Sequence, residues 1–192
     1  MGEQKGFCIE QNRCMGCKAC QVACKDKNDL EVGQRFRKVT EVAGGGYHEE
    51  GPALRWEVYA FWISLSCNHC ADPLCVKNCP TGAMYKRAED GIVLVDEKKC
   101  IGCRYCMWSC PYEAPQYNQV KGKIGKCDLC FDLLQKGEDP VCVTTCPMRA
   151  IHVSNMEDLQ KQYGGMRWGR GLPDPTITEP SLLIVPHRNA IK

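Results

Sequence analysis

The chain has 192 residues and a net charge of +2, too little positive charge for a nucleic-acid footprint. Its 44% hydrophobic content includes 17 cysteines, and only 8% of the residues are aromatic, so little apolar surface is available to bury per ordered residue. The longest apolar run, Val58 to Leu65, has eight residues including Ser64, far short of a membrane span.

The start, Met1-Gly-Glu-Gln-Lys-Gly6, lacks the apolar region of a signal peptide, and Gly6 stands where a myristoylation motif wants Ser or Thr. Residues 7–14 read as a short strand entering the first of Cys14, Cys17, Cys20 and Cys24, a C-x2-C-x2-C-x3-C run. Residues 35–65 are expected to form a hairpin: a strand from Phe36 to Val42, a turn at Ala43-Gly-Gly-Gly46 and a strand from Leu54 to Ile63. The glycines lack the following Lys-Ser/Thr of a phosphate cradle, so a turn is the better reading. A second quartet follows at Cys67, Cys70, Cys75 and Cys79, then a short β piece at Met84-Tyr-Lys86. Gly91-Ile-Val-Leu-Val-Asp96 leads into a third quartet, Cys100, Cys103, Cys106 and Cys110, with the spacing of the first. The fourth, Cys127, Cys130, Cys142 and Cys146, encloses a predicted helix over 131–136 stopped by Gly137. Ile151-His-Val153 is again β-like, and from Gly164 onward glycines and then Pro173, Pro175, Pro180 and Pro186 predict an extended tail.

Sixteen of the 17 cysteines fall in these four quartets. Disulfides are disfavoured by the odd count and the two-residue gaps. Zinc prefers two C-x2-C pairs across a longer loop. Three cysteines at two-residue gaps with a fourth three further on match the bacterial-ferredoxin pattern, in which the fourth thiolate reaches a different cubane. Proline follows Cys79, Cys110 and Cys146, completing that pattern, whereas Lys25 follows Cys24. Metal sites then supply folding energy that the small apolar core lacks.

Residues 7–14 can be laid over residues 93–100, which aligns the first and third quartets and sets Cys8 opposite Leu94, outside any quartet. Cys8 is therefore expected to be a small buried apolar residue. The fold class expected is α+β: two bacterial-ferredoxin-like units, each for two [4Fe–4S] clusters, one inserted into the other. The outer unit is split between residues 1–34 and 118–160, the hairpin takes 35–65, the inner unit 66–117 and a partner-contacting tail 161–192. Under the shared-ligand rule Cys14, Cys17, Cys20 and Cys146 hold cluster 1, and Cys24, Cys127, Cys130 and Cys142 hold cluster 2. Cys67, Cys70, Cys75 and Cys110 hold cluster 3, and Cys79, Cys100, Cys103 and Cys106 hold cluster 4. The alternative is that each quartet keeps its own cube. No catalytic residues are expected: His48, His69, His152 and His187 are scattered, and His69, inside a cysteine loop, suits hydrogen bonding near a cube. Lys18, Lys77, Lys99, Arg104 and Lys126 stand near the quartets, either offsetting cluster charge or forming a solvated face.

The stretches Cys14-Met-Gly-Cys-Lys-Ala-Cys-Gln-Val-Ala-Cys24, Ser66-Cys-Asn-His-Cys-Ala-Asp-Pro-Leu-Cys75, Cys100-Ile-Gly-Cys-Arg-Tyr-Cys106 and Cys110-Pro-Tyr-Glu-Ala-Pro-Gln-Tyr117 resemble the electron-transfer subunit of the dimethyl sulfoxide reductase family. The likeness runs to about Val153 and more weakly into the tail. The ligand spacing alone is shared with polysulfide, thiosulfate, nitrate and tetrathionate reductases and membrane formate dehydrogenases. The resemblance implies a non-catalytic electron-transfer subunit between a molybdopterin catalytic subunit and a membrane anchor that oxidises menaquinol. It implies that cluster 1 faces the catalytic subunit and cluster 4 the anchor. Nitrate-reductase relatives carry Trp at the position of Cys103 and hold a three-iron cluster there; Cys103 here implies four four-iron cubes. The family's catalytic partner usually bears a twin-arginine signal, which implies an unsignalled subunit carried to the extracytoplasmic face. A zinc-stabilised interaction module and a stand-alone polyferredoxin are the other readings; the long insertion and Pro-rich tail argue against the latter.

Overall fold

The computed structural model describes residues 3–191; the Met1-Gly2 start lies outside the described residues. One three-stranded sheet organises the fold. Its central strand β1, Lys5–Glu10, runs antiparallel to Ile151–Asn155 and parallel to Leu182–Val185 near the C-terminus. The register pairs Cys8 with His152 on one side and with Leu183 on the other. Side chains alternate across a strand. Phe7 and Ile9 face a core that also contains Cys20, Cys67, Cys127 and Cys142, while Cys8 faces Met156 and Leu159 on the helix Met156–Tyr163. Cys8 is fully buried, as its alignment with Leu94 led us to expect.

The expected single hairpin over 35–65 is two nested ones. Strand β2, Lys38–Gly44, pairs with β5, Tyr59–Leu65, in register Lys38 to Leu65. Between them β3, Tyr47–Glu50, pairs with β4, Ala53–Trp56, and the reversal lies at Gly51-Pro52 rather than at the glycine triplet. The triplet instead bends the backbone from one hairpin into the next: Gly45 has φ +90°, and a Cβ there would overlap the Glu57 carbonyl. Both strands of this outer hairpin are exposed throughout.

The tail differs from expectation in its β segment. Residues 182–184 are buried in this chain's own sheet instead of waiting for a partner surface. Two short hairpins complete the inventory, β6 (Met84–Lys86) with β7 (Val93–Val95) and β8 (Gln116–Asn118) with β9 (Lys123–Gly125). Met84 and Val93 of the first and Ile124 of the second form a second core around Cys75 and Cys106. Among the described residues no helix is long and apolar enough to cross a membrane.

Candidate metal centres

Four short helices bring the cysteines inward. Helix α1, Ala19–Lys27, buries Cys20 and Cys24 and packs on Val141–Thr144, which buries Cys142. Leu74–Lys77, with Cys75 buried, packs on Tyr105–Ser109, with Cys106 buried. The repeat read from the sequence extends to the backbone. Gly16 and Gly102 take φ +71° and +70°, and the residues before the helices, Lys18 and Arg104, take +62° and +67°. Each loop thus coils left-handed around the place its thiols face. The second and fourth quartets share another device: Asp72-Pro-Leu-Cys75 and Asp139-Pro-Val-Cys142 set Pro73 and Pro140 in front of the helices that carry those cysteines. Proline fixes φ and needs no donor at a helix start. Ligand spacing alone passes over this Asp-Pro-x-Cys repeat, although it stands in the sequence.

Cys14, Cys17, Cys20 and Cys146 line one small cavity together with Ile9, Met15 and Val39. Cys79, Cys100, Cys103 and Cys106 line another with Met84, Val95 and Ile124. Cys79 therefore sits with the thiols of the third quartet, and Cys146 with those of the first. The other two expected groups are adjacent through their fields. Cys142 and Cys130 act on Cys24, Cys24 and Cys142 act on Cys127, and Cys67 and Cys110 act on both Cys70 and Cys75. Neighbouring groups also touch one another's fields: Cys142 acts on Cys20, and Cys67 acts on Cys127. Cys75 and Cys106 share a core. Each group of thiols thus neighbours the next, the first beside the second, the second beside the third and the third beside the fourth.

Burial pushes the thiols of Cys24, Cys70 and Cys75 up to about 12 and those of Cys106 and Cys130 to about 11. Cys127 goes well above the usual range for the same reason. Cys79 goes the other way. Burial is the largest single influence and raises it, but hydrogen bonds from the Met84 amide at 3.3 Å, from Thr81 and from the Ala83 amide together outweigh that and hold it below the usual value. Amides also donate to Cys127 Sγ from Leu129 and to Cys146 Sγ from Ala150, both at 3.4 Å. Sulfur accepts such bonds best as thiolate, so these amides favour a metal-bound sulfur.

The chemistry of the lining fits iron–sulfur clusters. Among the described residues no three Cys, His, Asp or Glu side chains converge tightly enough for a single ion. A cubane holds its thiolates at its corners, wider apart than the ligands of one tetrahedral ion. Arg37, fully buried at the start of the insertion, supplies a second sign of fit. It donates to Ser64 Oγ at 3.1 Å and to Ser66 Oγ at 3.0 Å and lies over the Phe7 ring at 4.6 Å. Burial opposes its charge, yet Cys142, Cys127, Cys20 and Cys24 more than offset that. A buried cation requires a counter-charge, and thiolate-ligated clusters supply one. Sequence reasoning missed Arg37, which sits in the polar run Arg35-Phe-Arg-Lys38.

His69 is fully buried. Its Nδ1 accepts the Val93 amide at 3.1 Å, which places the proton on Nε2, a buried donor without a partner among the described residues. Burial, with Lys126 and Lys86 nearby, holds it well below the usual histidine range, so it is neutral. His152 bridges Glu10 at 2.8 Å and the Tyr163 hydroxyl at 3.0 Å, tying the last helix to the sheet.

Comparison with known proteins agrees with this geometry. A family model described as a 4Fe-4S dicluster domain matches residues 58–156. The sequence is 47% identical over 190 residues to the B subunit of the anaerobic dimethyl sulfoxide reductase of Escherichia coli K12, covering 99% of this chain and 92% of that one. It is 45% identical over 190 residues to the B subunit of the Haemophilus influenzae enzyme, covering 98% and 92%. The thiosulfate reductase electron transfer subunit of Salmonella typhi is further away, 39% identical over 160 residues, covering 83% and 78%. With near-complete coverage at such identity, the protein belongs to the dimethyl sulfoxide reductase family, as its iron–sulfur electron-transfer subunit and not as a catalytic one.

Proposed function

We propose that the protein relays single electrons through four [4Fe–4S] clusters, from a membrane anchor that oxidises quinol to a molybdopterin catalytic subunit that reduces an S-oxide or N-oxide. Cys14, Cys17, Cys20 and Cys146 hold the first cluster, and Cys24, Cys127, Cys130 and Cys142 the second. Cys67, Cys70, Cys75 and Cys110 hold the third, and Cys79, Cys100, Cys103 and Cys106 the fourth. Residues 1–34 and 118–160 form the outer unit, 66–117 the inner, and the tail contributes to partner contact through its exposed part. The clusters supply one-electron exchange; the protein fixes their spacing, excludes water and sets their electrostatic surroundings.

The observation that carries this reading is the succession of neighbouring thiol groups: Cys20 beside Cys142, Cys127 beside Cys67, and Cys75 in one core with Cys106. Four sites in contact one with the next suit a conductor between two partners. The complex is placed at the extracytoplasmic face of the membrane, carried there by its catalytic partner and bound only through the anchor. Iron, acid-labile sulfide and zinc counted per chain after anaerobic purification test the cofactors. About 16 irons and as many sulfides are expected for four cubes; zinc without sulfide overturns the reading. Sequencing the proteins that co-purify tests the partners, and a thiosulfate-reducing partner in place of an S-oxide reductase would move the assignment toward the Salmonella relative.

A further inference from the structure

Arg37 is one of two buried cationic side chains among the described residues, with Lys126. The two are satisfied differently. Lys126 donates to the carbonyls of Val93 and Cys127, while Arg37 is held by the Ser64 carbonyl at 3.3 Å and by the hydroxyls of Ser64 and Ser66. Ser64 Oγ in turn lies 3.6 Å from Cys20 Sγ, so the guanidinium is one hydroxyl away from a thiol of the first group. Its other face is closed by the Phe7 ring, which belongs to the core shared by Cys20, Cys67, Cys127 and Cys142. The thiols that contribute most to supporting its charge, Cys142, Cys127, Cys20 and Cys24, belong to the first and second sites. An arginine stays protonated in any protein environment, so this is a fixed charge.

We infer that Arg37 is a positioning charge that sets the reduction potentials of the first and second clusters together, raising both relative to a site without it. The inference rests on the four-cluster reading. Reduction adds one electron to a cluster; no bond forms or breaks at Arg37 and its protons stay in place. Each thiolate-ligated cube is net negative and becomes more so on reduction, so a cation in the dry space beside it favours the reduced form. Mobile ions screen such a charge little at full burial. The hairpin insertion thereby has an electrostatic role: β2 and β5, with the residues flanking them, deliver Arg37, Ser64 and Ser66 to the junction between two clusters.

The experiment is a potentiometric titration of the purified complex followed by electron paramagnetic resonance, with the native protein, Arg37→Met and Arg37→Lys. Iron and sulfide are counted first. A native protein without them overturns the cluster reading itself, and the inference with it. With clusters in place, Arg37→Met is expected to keep its iron and to lower two of the four potentials, each by at least tenfold in the reduction equilibrium, which is about 59 mV for a one-electron couple. Arg37→Lys, which keeps the charge, is expected to restore most of that shift. Unchanged potentials in an iron-replete Arg37→Met overturn the inference, as does a lysine variant shifted as far as the methionine one. If Arg37→Met loses iron, the lysine variant decides. Full iron with near-native potentials supports the charge; loss of iron there too overturns it, leaving only the guanidinium hydrogen bonds as the role.

Discussion

The amide of Ala71 donates to the carbonyl of Glu179 at 2.7 Å, and the amide of Asp72 donates to the carbonyl of Thr178 at 3.1 Å. Two further bonds continue the seam, from the Ser181 amide to the Asn68 carbonyl at 3.0 Å and from the Ser181 hydroxyl to the His69 carbonyl at 2.9 Å. The C-terminal segment is thus stitched along the loop that carries Cys67, Cys70 and Cys75. Cysteine loops of this kind have few internal hydrogen bonds to spare, because their amides turn toward sulfur. A segment from far along the sequence satisfies the outward-facing groups that water would otherwise reach.

Thr178, in the tail, lies beside a thiol of the third group. It is buried, its hydroxyl finds no well-formed hydrogen bond among the described residues, and its neighbours are the Cys70 thiol and the Tyr112 hydroxyl. Burial pushes Cys70 up and the Thr178 hydroxyl works against it. A donor to a cluster thiolate raises the potential of that cluster. Thr178→Val keeps the shape and removes the donor. The expected result is full iron content, a lowered potential for one cluster signal only, and little change in stability, since the hydroxyl has no well-formed hydrogen bond to lose. Redox titration and thermal unfolding of the variant check both; an unchanged set of four potentials would show that the hydroxyl does not address the sulfur.

Cys8 makes a prediction about alkaline pH. Burial, with Glu10 as a smaller contributor, pushes its thiol from 9.0 up to about 12. In the unfolded state the thiol ionises near 9.0, while in the folded state it keeps its proton to about 12. Below pH 9 the two states are equally protonated, so the thiol leaves stability unchanged there; as pH rises from 9 toward 12 only the unfolded state ionises, and stability is lost. Cys8→Ala removes this slope and leaves a small cavity costing roughly 1 kcal/mol. The variant is therefore expected to be less stable than the native protein at pH 8 and to narrow the gap by pH 10, with iron content unchanged at both. Denaturant unfolding at the two pH values measures it. A gap that widens with pH, or a loss of iron, would mean that Cys8 is no inert core residue.

What could be read in the sequence was what is local. A cubane draws three of its thiolates from one stretch at short gaps, so the quartets, the tight turns at Gly16 and Gly102 and the short β pieces after Ala83 and Ala150 were legible from spacing and glycine. The pairing of β1 with residues 182–185 was not, because Leu182-Leu-Ile-Val185 is a short apolar run whose partner lies at the other end of the sequence. The outer hairpin was misjudged for a different reason. Its strands face water on both sides, so Tyr47-His-Glu-Glu50 carries no alternation of apolar and polar residues, and the glycine triplet looked like the stronger turn signal. Arg37 was invisible because a charge in a basic run normally reads as solvent-facing. Only the packing of Phe7 against it and the burial of Ser64 and Ser66 reveal a buried ion.

Gly102 tests whether the loop of the third quartet is as constrained as its twin. It sits between Cys100 and Cys103 at φ +70°, in the left-handed region that residues with a Cβ adopt at a cost of about 1 kcal/mol. A Cβ there would overlap the Gly122 carbonyl in the turn of the β8–β9 hairpin and come within 3.2 Å of the Tyr117 ring. Tyr117 is itself fixed by Arg104, whose guanidinium lies 3.9 Å from the ring centre. Substitution therefore adds a backbone clash to the intrinsic strain, and the loop and hairpin must separate to relieve it. Separation exposes the small cavity lined by Cys79, Cys100, Cys103 and Cys106. Gly102→Ala is expected to lower the iron count by about one cluster's worth, or to leave a three-iron species visible by electron paramagnetic resonance, while the other three clusters persist. Gly82, also at positive φ but with open space where a Cβ would go, is the control: Gly82→Ala is expected to keep all its iron and lose only the backbone contribution. Equal iron in the two variants would show that left-handed strain alone, and not the packing of the β8–β9 hairpin, governs retention at this site.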